Sequence, residues 1–332
     1  ATRLVISTQA SGFVNRVAFS TQPAITAQDS SGNTVTNFSP QVSVTATRVG
    51  GGGSATITGT LTRDPGSGVA TFTNLRLDGT VGQYDLTFGA TGVSSTTQRV
   101  TLTHGAVSSV VLTGPTTASN ARDFDSAIVV QILDANQNLV TSGSEASQSI
   151  VLTASGATLS GTITRLASSG TATFDNLRLT GLAGSGKIIT ATISSPTTRT
   201  GERSIELSHG LATQLVLTTE ATGAVNRVAF TTQPTVSVRD VSGNPVSNFV
   251  GRVDVAVSSP GPHVAQLTGT VFREPNLSPT ASFTNLRLIG GVGNYTLTFS
   301  SPTAGISSAT QSITVTPGAA NSLQLVAPAN AT

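Results

Sequence analysis

The chain is nearly the same hundred-odd residues written three times and then begun a fourth time, which restricts it to an array of small, similar units. Residues 1–38 (ATRLVISTQASGFVNRVAFSTQPAITAQDSSGNTVTNF) and 212–249 (ATQLVLTTEATGAVNRVAFTTQPTVSVRDVSGNPVSNF) align without a gap at an offset of 211. The middle copy diverges but keeps the landmarks. An apolar run ends in Asp29, Asp134 or Asp240, with Asn33, Asn138 or Asn244 four residues later. A GT-x-x-R phrase follows from Gly59, Gly161 or Gly269, then F-[TD]-N-L-R-L from Phe72, Phe174 or Phe283. Each copy closes on a turn dipeptide, His104-Gly105, His209-Gly210 or Pro317-Gly318. The expected units are therefore 1–105, 106–210 and 211–318, with 319–332 starting a fourth repeat or serving as a docking strand.

Within each copy, apolar and small polar residues alternate with period two, as in VSVTAT from Val42, ATITGTLT from Ala55 and QYDLTF from Gln83. That is the pattern of strands with one buried face. Gly, Pro, Asn and Ser clusters interrupt the runs every eight to twelve residues, and apolar residues do not recur at helical spacing. The spacing predicts an all-β chain of three two-sheet sandwiches of about seven strands each. The FTNLRL phrase is expected to be one strand leading into the corner before GQYDLTF.

The phrases ITAQDSSGNTV and VSVRDVSGNPV, the GT-x-x-R strand and the G-x-A-x-F-x-N-L phrase resemble the tandem bacterial Ig-like (Big-type) domains of cell-surface, adhesin and invasin-like stalk proteins. The resemblance covers all three copies. It implies immunoglobulin-like sandwiches, and it implies spacer duty more than any one activity, since such modules serve many unrelated proteins. Tyr84 and Tyr295, near the start of a late strand, also resemble the tyrosine corner of such sandwiches; the middle copy has Ile189 there. The resemblance further invites a Lys–Asn isopeptide crosslink. Lys187 is the sole lysine, so the first and third repeats have no donor for one.

Composition bounds the setting. With no cysteine there are no disulfides, thiolate metal sites or cysteine nucleophile. Lys and Arg number 17 against 15 Asp and Glu, so no basic footprint for nucleic acid exists. Charged residues are 10% of the chain, against about 25% in an ordinary soluble domain. Thr and Ser fill the outward strand positions instead. Such a weakly repelling surface suits side-by-side packing with copies of itself, or glycans. Asn37, Asn276, Asn294 and Asn330 stand in N-x-[ST] sequons and are glycosylation candidates. The chain has no Met even at its start, which reads as a processed piece, and no stretch approaches the ~20 apolar residues of a membrane span. The expected location is extracellular, at the cell surface.

Chemical motifs are few. Gly181 to Lys187 matches the first seven positions of a phosphate-binding loop, but Ile188 replaces the magnesium-holding hydroxyl, and KIITATI reads as a strand where a helix is needed. Asp29, Asp134 and Asp240 are weak calcium candidates, because hard cations want clustered oxygens. Tight turns are the simpler reading of Asp-x-x-x-Asn, with Gly32 and Gly243 supplying positive φ. His104, His209 and His263 form no set shared by all copies, and neither G-x-S-x-G nor H-E-x-x-H occurs. No enzyme and no cofactor are expected. The recurring arginines, Arg76, Arg178 and Arg287 and Arg63, Arg165 and Arg273, read as strand-face residues whose stems cover apolar surface.

The reading is a rod-like structural element of an extracellular assembly: filament, sheath, surface layer or adhesin stalk. An adhesin or carbohydrate-binding accessory module is the alternative, and a virion-decorating domain has the same physics. The expected partners are other copies, head-to-tail or side by side. The joints TLTHGAVSSVVL and ELSHGLATQLVL leave two to four residues outside strands. Asn321, Leu323, Leu325 and Val326 repeat the opening strand's apolar face and are the expected assembly segment.

Overall fold

The computed structural model describes residues 1–323 apart from 196, 260 and 262–263. Strands dominate throughout, and among the described residues the sole helical element is a single 3₁₀ turn at Ser144–Ser147 in the second repeat.

The first repeat runs β1 (Arg3–Thr8), β2 (Ala24–Gln28), β3 (Val42–Arg48), β4 (Ala55–Thr58), β5 (Thr62–Arg63), β6 (Val69–Thr71), β7 (Arg76–Gly79), β8 (Gly82–Gly89) and β9 (Thr96–Leu102). One sheet has the order β1-β2-β6 and the other β5-β3-β8-β9, while β4 and β7 pair as a two-stranded flap. All these ladders are antiparallel. The alternation read from the sequence places Tyr84, Leu86 and Phe88 of β8 on one buried face. Phe88 meets Phe72, the residue just after β6 of the opposite sheet, at a ring-centroid distance of 5.4 Å, which joins the two sheets into a sandwich. Phe283 and Phe299 repeat that contact at 5.5 Å. Three separate hydrophobic cores result, spanning Leu4 to Leu102, Val107 to Leu207 and Leu215 to Val315.

Two expectations need correction. The ATITGTLT and FTNLRL phrases are not single strands; each breaks and crosses between sheets, so among the described residues the first and third repeats have nine strands each and the second ten, against about seven expected. The cause is a close backbone crossing. Gly59 has φ 111°, and a Cβ there would lie 2.2 Å from the Asn74 carbonyl oxygen; Asn74 itself has φ 57°. Gly161 meets Asn176 and Gly269 meets Asn285 in the same way, each at 2.1 Å. The Gly of GT-x-x-R and the Asn of N-L-R-L are thus two sides of one contact that only glycine permits. The second correction concerns the joints: residues 103–106 and 209–213 lie between strands, so the second joint has five residues outside strands where at most four were expected.

Tyr84 donates to the Thr80 carbonyl at 2.6 Å and Tyr295 to the Gly291 carbonyl at 2.8 Å, the tie of a tyrosine corner. Ile189 is buried in the middle repeat without such a tie. The glycine-rich run ahead of Lys187 continues directly into the strand Gly184–Ile193, not a helix. Lys187 is half-buried there.

Candidate functional site: the joints between repeats

The opening strand of each repeat leaves the first sheet and runs beside the last strand of the second, in parallel. In the first repeat Val14 bridges Thr103, and Asn15 N–H donates to the Thr103 carbonyl at 3.0 Å. In the second, Thr117–Ser119 pairs with Glu206–Ser208, and Asn120 N–H reaches the Ser208 carbonyl at 3.0 Å. Asn226 and Thr316 repeat this in the third. A left-handed residue follows each asparagine, Arg16 (φ 64°), Ala121 (φ 55°) or Arg227 (φ 69°), and turns the chain away. An asparagine is thereby fixed at the end of every sandwich, next to the turn dipeptide. A Cβ on Gly105, Gly210 or Gly318 would lie 2.8, 2.3 or 2.8 Å from the backbone oxygen of that asparagine, which explains the invariant glycine of the dipeptides.

Asp134 ends the strand Ile128–Asp134 and is 1% exposed. Its Oδ1 accepts from Asn136 N–H and Asn138 N–H, both at 2.9 Å, closing the expected turn. Its Oδ2 accepts from outside the repeat: from Gly105 N–H at 2.8 Å and from the Asn15 amide at 2.9 Å. Asn138 crosses the same boundary. Its amide donates to the Gly79 carbonyl at 2.9 Å, and its Oδ1 accepts from Val81 N–H at 3.0 Å. Asn15 is held in turn by Gly79, whose N–H and carbonyl both bond its side chain at 3.0 Å.

The second joint has the same parts. Asp240, fully buried, accepts from Gly210 N–H at 2.7 Å and the Asn120 amide at 2.8 Å. Asn244 donates to the Gly181 carbonyl at 3.0 Å and accepts from Ala183 N–H at 2.7 Å. His104 and His209 each bridge their joint too. His104 Nε2 lies 2.8 Å from Ser142 Oγ and 3.2 Å from its N–H donor, and His209 Nε2 lies 3.1 Å from Ser247 Oγ. The other ring nitrogen faces the Gly105 or Gly210 carbonyl at 3.0 Å, which assigns the proton to Nδ1. A serine beside an imidazole has the outline of a nucleophile and base, but here the ring is oriented by a backbone carbonyl and not by an acid.

Burial alone pushes the Asp134 and Asp240 carboxyls up, yet the hydrogen bonds outweigh it and hold both below the ordinary carboxylate value: those from Gly105, Asn138 and Asn15 for Asp134, and those from Gly210, Asn244 and Asn120 for Asp240. Five donor groups make six hydrogen bonds to the two Asp134 oxygens, which occupies the lone pairs a cation would need. Among the described residues no group of three or more His, Asp or Glu could hold a metal ion.

Asp29 makes the same turn, and among the described residues it accepts only from that turn. It accepts from Ser31 N–H, Asn33 N–H and the Asn33 amide at 2.9, 2.9 and 3.1 Å, and these bonds lower its pKa, that from the Asn33 side chain most. The remaining candidate residues lie apart from the joints. Asn37, Asn276 and Asn294 are exposed; Asn330 lies outside the described residues, as do Leu325, Val326 and His263. Asn321 and Leu323 are exposed and in no strand. Of the recurring arginines, Arg178 pairs with Asp123 at 2.9 Å and Arg165 with Asp175 at 2.6 Å, while Arg63 donates to the Thr71 carbonyl at 2.8 Å. No described helix is long and apolar enough to cross a membrane.

The asparagines Asn15, Asn120 and Asn226 are the site residues that sequence reasoning missed. Their available signal was the same polar residue at one position of every copy (FVNRV, ASNAR, AVNRV).

No protein-family model matches the chain, and no curated protein matches it. Among solved structures it is similar to invasin, a bacterial integrin-binding protein, at 15% identity and TM-score 0.33, over 95% of this chain and 60% of that one. It is also similar to a tetra-tandem repeat from the extending region of a large adhesion protein (14%, TM-score 0.31, covering 95% of this chain and 74% of that one). A surface layer protein, domains 4–9, overlaps at 13% identity and TM-score 0.25 over 95% of this chain and 47% of its own length. The chain thus spans less than two thirds of the invasin and surface-layer chains.

Proposed function

We propose that the chain is a non-enzymatic spacer of an extracellular, surface-associated structural assembly, composed of three sandwich domains (1–105, 106–210 and 211–318) held at set angles by their joints. The observation that carries this reading is the buried aspartate at each joint, Asp134 or Asp240, whose Oδ2 is held by donors from the preceding repeat and the linker. A flexible tether needs no buried carboxylate at its boundary, and a desolvated carboxylate is tolerated only when its hydrogen bonds are complete. Fixed joints transmit length and direction, which is what a stalk, sheath or layer requires. Low charge and exposed sequons at Asn37, Asn276 and Asn294 fit contact with neighbouring copies and glycans outside the cell.

The binding-module alternative has less support. Sugar platforms need exposed flat rings, whereas Tyr84 and Tyr295 are 1% and 2% exposed and the chain has no Trp. The test is immunogold electron microscopy of intact source cells with antibody to this chain. Label on rods or layers outside the envelope is expected, lost after brief external proteolysis. Label only in permeabilised cells would overturn the proposal.

A further inference from the structure

The two joints are built alike around Asp134 and Asp240, but beside the turn dipeptide they differ. In the first, the loop from Val140 to Ile150 carries the 3₁₀ turn Ser144–Ser147, and half-buried Glu145 reaches back so that its Oε2 accepts from Val107 N–H at 3.0 Å. The second joint has a shorter loop, Val246 to Val253, with no helical turn and no acidic residue. Ala212 stands there where Val107 stands, two residues past the glycine of the dipeptide. Among the described residues its N–H has no acceptor.

Beside Ala212 lies a cavity of about 440 Å³ whose walls come from both repeats. Leu211, Phe249, Val250 and Ile306 make it largely apolar, and Arg122 enters it from the second repeat. Arg122 is exposed, and among the described residues its guanidinium has neither an ion pair nor a hydrogen bond. His209 lines the cavity as well, but its two nitrogens are spent on Gly210 and Ser247 inside the joint. No carboxylate is in the lining. Asp240 shares a neighbouring cleft with Arg122, yet its oxygens are occupied by the donors of the joint. The first and third repeats have Val17 and Val228 at the place of Arg122, so the cation is particular to this joint.

We infer that the cavity of the second joint binds a small aliphatic monocarboxylate, the anion of a medium-chain fatty acid. Its carboxylate is held by Arg122 and the Ala212 N–H, and its chain lies against Leu211, Phe249 and Val250. An unpaired guanidinium and an unpaired N–H over an apolar wall are complementary to such a molecule. The first joint shows which group the place takes, because there the chain supplies the carboxylate itself, from Glu145. Leu211 and Val250 are 65% and 76% exposed, and covering them supplies the hydrophobic part of the affinity. The volume falls within the roughly 300–1,000 Å³ of ordinary small-molecule sites. Because the walls belong to two repeats, the bound acid bridges the joint.

The test is a titration of the full chain with octanoate, followed by NMR shifts of the backbone amides and arginine Nε–H groups. Saturable shifts are expected at Ala212 and at Arg122 Nε–H below about 20 mM. Val107, whose N–H is already taken by Glu145, should not respond. Octanamide, the same body without the charge, should bind on the order of tenfold more weakly. Arg122→Val introduces the residue that both sister repeats carry, so the fold should persist; octanoate should weaken about tenfold and octanamide should not change. Arg122→Lys keeps the charge and should recover part of the loss. No saturable shift at Ala212, equal binding of octanoate and octanamide, an undiminished octanoate response in Arg122→Val, or an equal response at Val107 would each overturn the inference.

Discussion

Replacing Asp134 with alanine gives the joint its most informative perturbation, because the chain carries its own control. Asp134 and Asp29 close the same turn on the same backbone donors, and only Asp134 also accepts from Gly105 N–H and the Asn15 amide. The difference between Asp134→Ala and Asp29→Ala is therefore the joint itself. Two hydrogen bonds to a charged acceptor contribute about 1.5–3 kcal/mol each, so the joint term is roughly 3–6 kcal/mol. Removing the carboxylate also strands donors at a site that is 1% exposed, which argues against the lower end. The assay is amide hydrogen exchange resolved by residue, since melting of a multi-repeat chain is not a two-state event. The Gly105 amide, bonded to Asp134 at 2.8 Å, should exchange at least about 100-fold faster in Asp134→Ala, the equivalent of some 3 kcal/mol. Asp29→Ala should leave Gly105 unchanged and loosen only Ser31 and Asn33. Asp240→Ala should repeat the result at Gly210. Unchanged protection of Gly105 in Asp134→Ala, or an equal effect from Asp29→Ala, would refute the joint as a source of order.

Three further outcomes follow from the same structure. The Asp134 and Asp240 carboxyls titrate below their unfolded value of about 3.9, so their contribution is complete above that pH and is lost as pH falls through the lowered folded values; an acid titration followed by exchange should therefore show Gly105 and Gly210 losing protection only below about pH 4. Gly59→Ala puts a methyl 2.2 Å from the Asn74 carbonyl at φ 111°, and should cost the first repeat about 3 kcal/mol or more in denaturant unfolding, while Gly89→Ala, with open space at the Cβ position, should be nearly silent. Tyr84→Phe removes the 2.6 Å bond to Thr80 and the partner of Arg48 at 3.0 Å, so it should cost about 1–2 kcal/mol by the same measurement, confined to the first repeat.

How far the sequence speaks depends on how local the cause is. Period-two runs such as QYDLTF are legible because one strand's alternation decides its own buried face, and the repeat spacing is legible because the copies punctuate alike. The break at Gly59 was not, because it exists for the sake of Asn74, fifteen residues away in the crossing between β6 and β7. Both residues were visible as recurring motif positions, but nothing in either phrase says that their backbones touch. The Asp-x-x-x-Asn turn was half legible: the bonds to residues two and four ahead are local, and the outward Oδ2 is not. Asn15 is the extreme case, with its carboxylate partner 119 residues on in the next repeat. A contact that distant leaves only a positional trace, the same polar residue at the same place in each copy.

The central claim is that neighbouring repeats are held at fixed angles, and residual dipolar couplings of backbone amides across the whole chain test it most directly. Couplings from the strands of all three repeats should fit one alignment tensor, and the joint substitutions Asn15→Ala and Asn120→Ala should split it into separate ones. Three tensors of different magnitude in the unaltered chain would mean that the repeats move independently, and the account of the joints would be wrong.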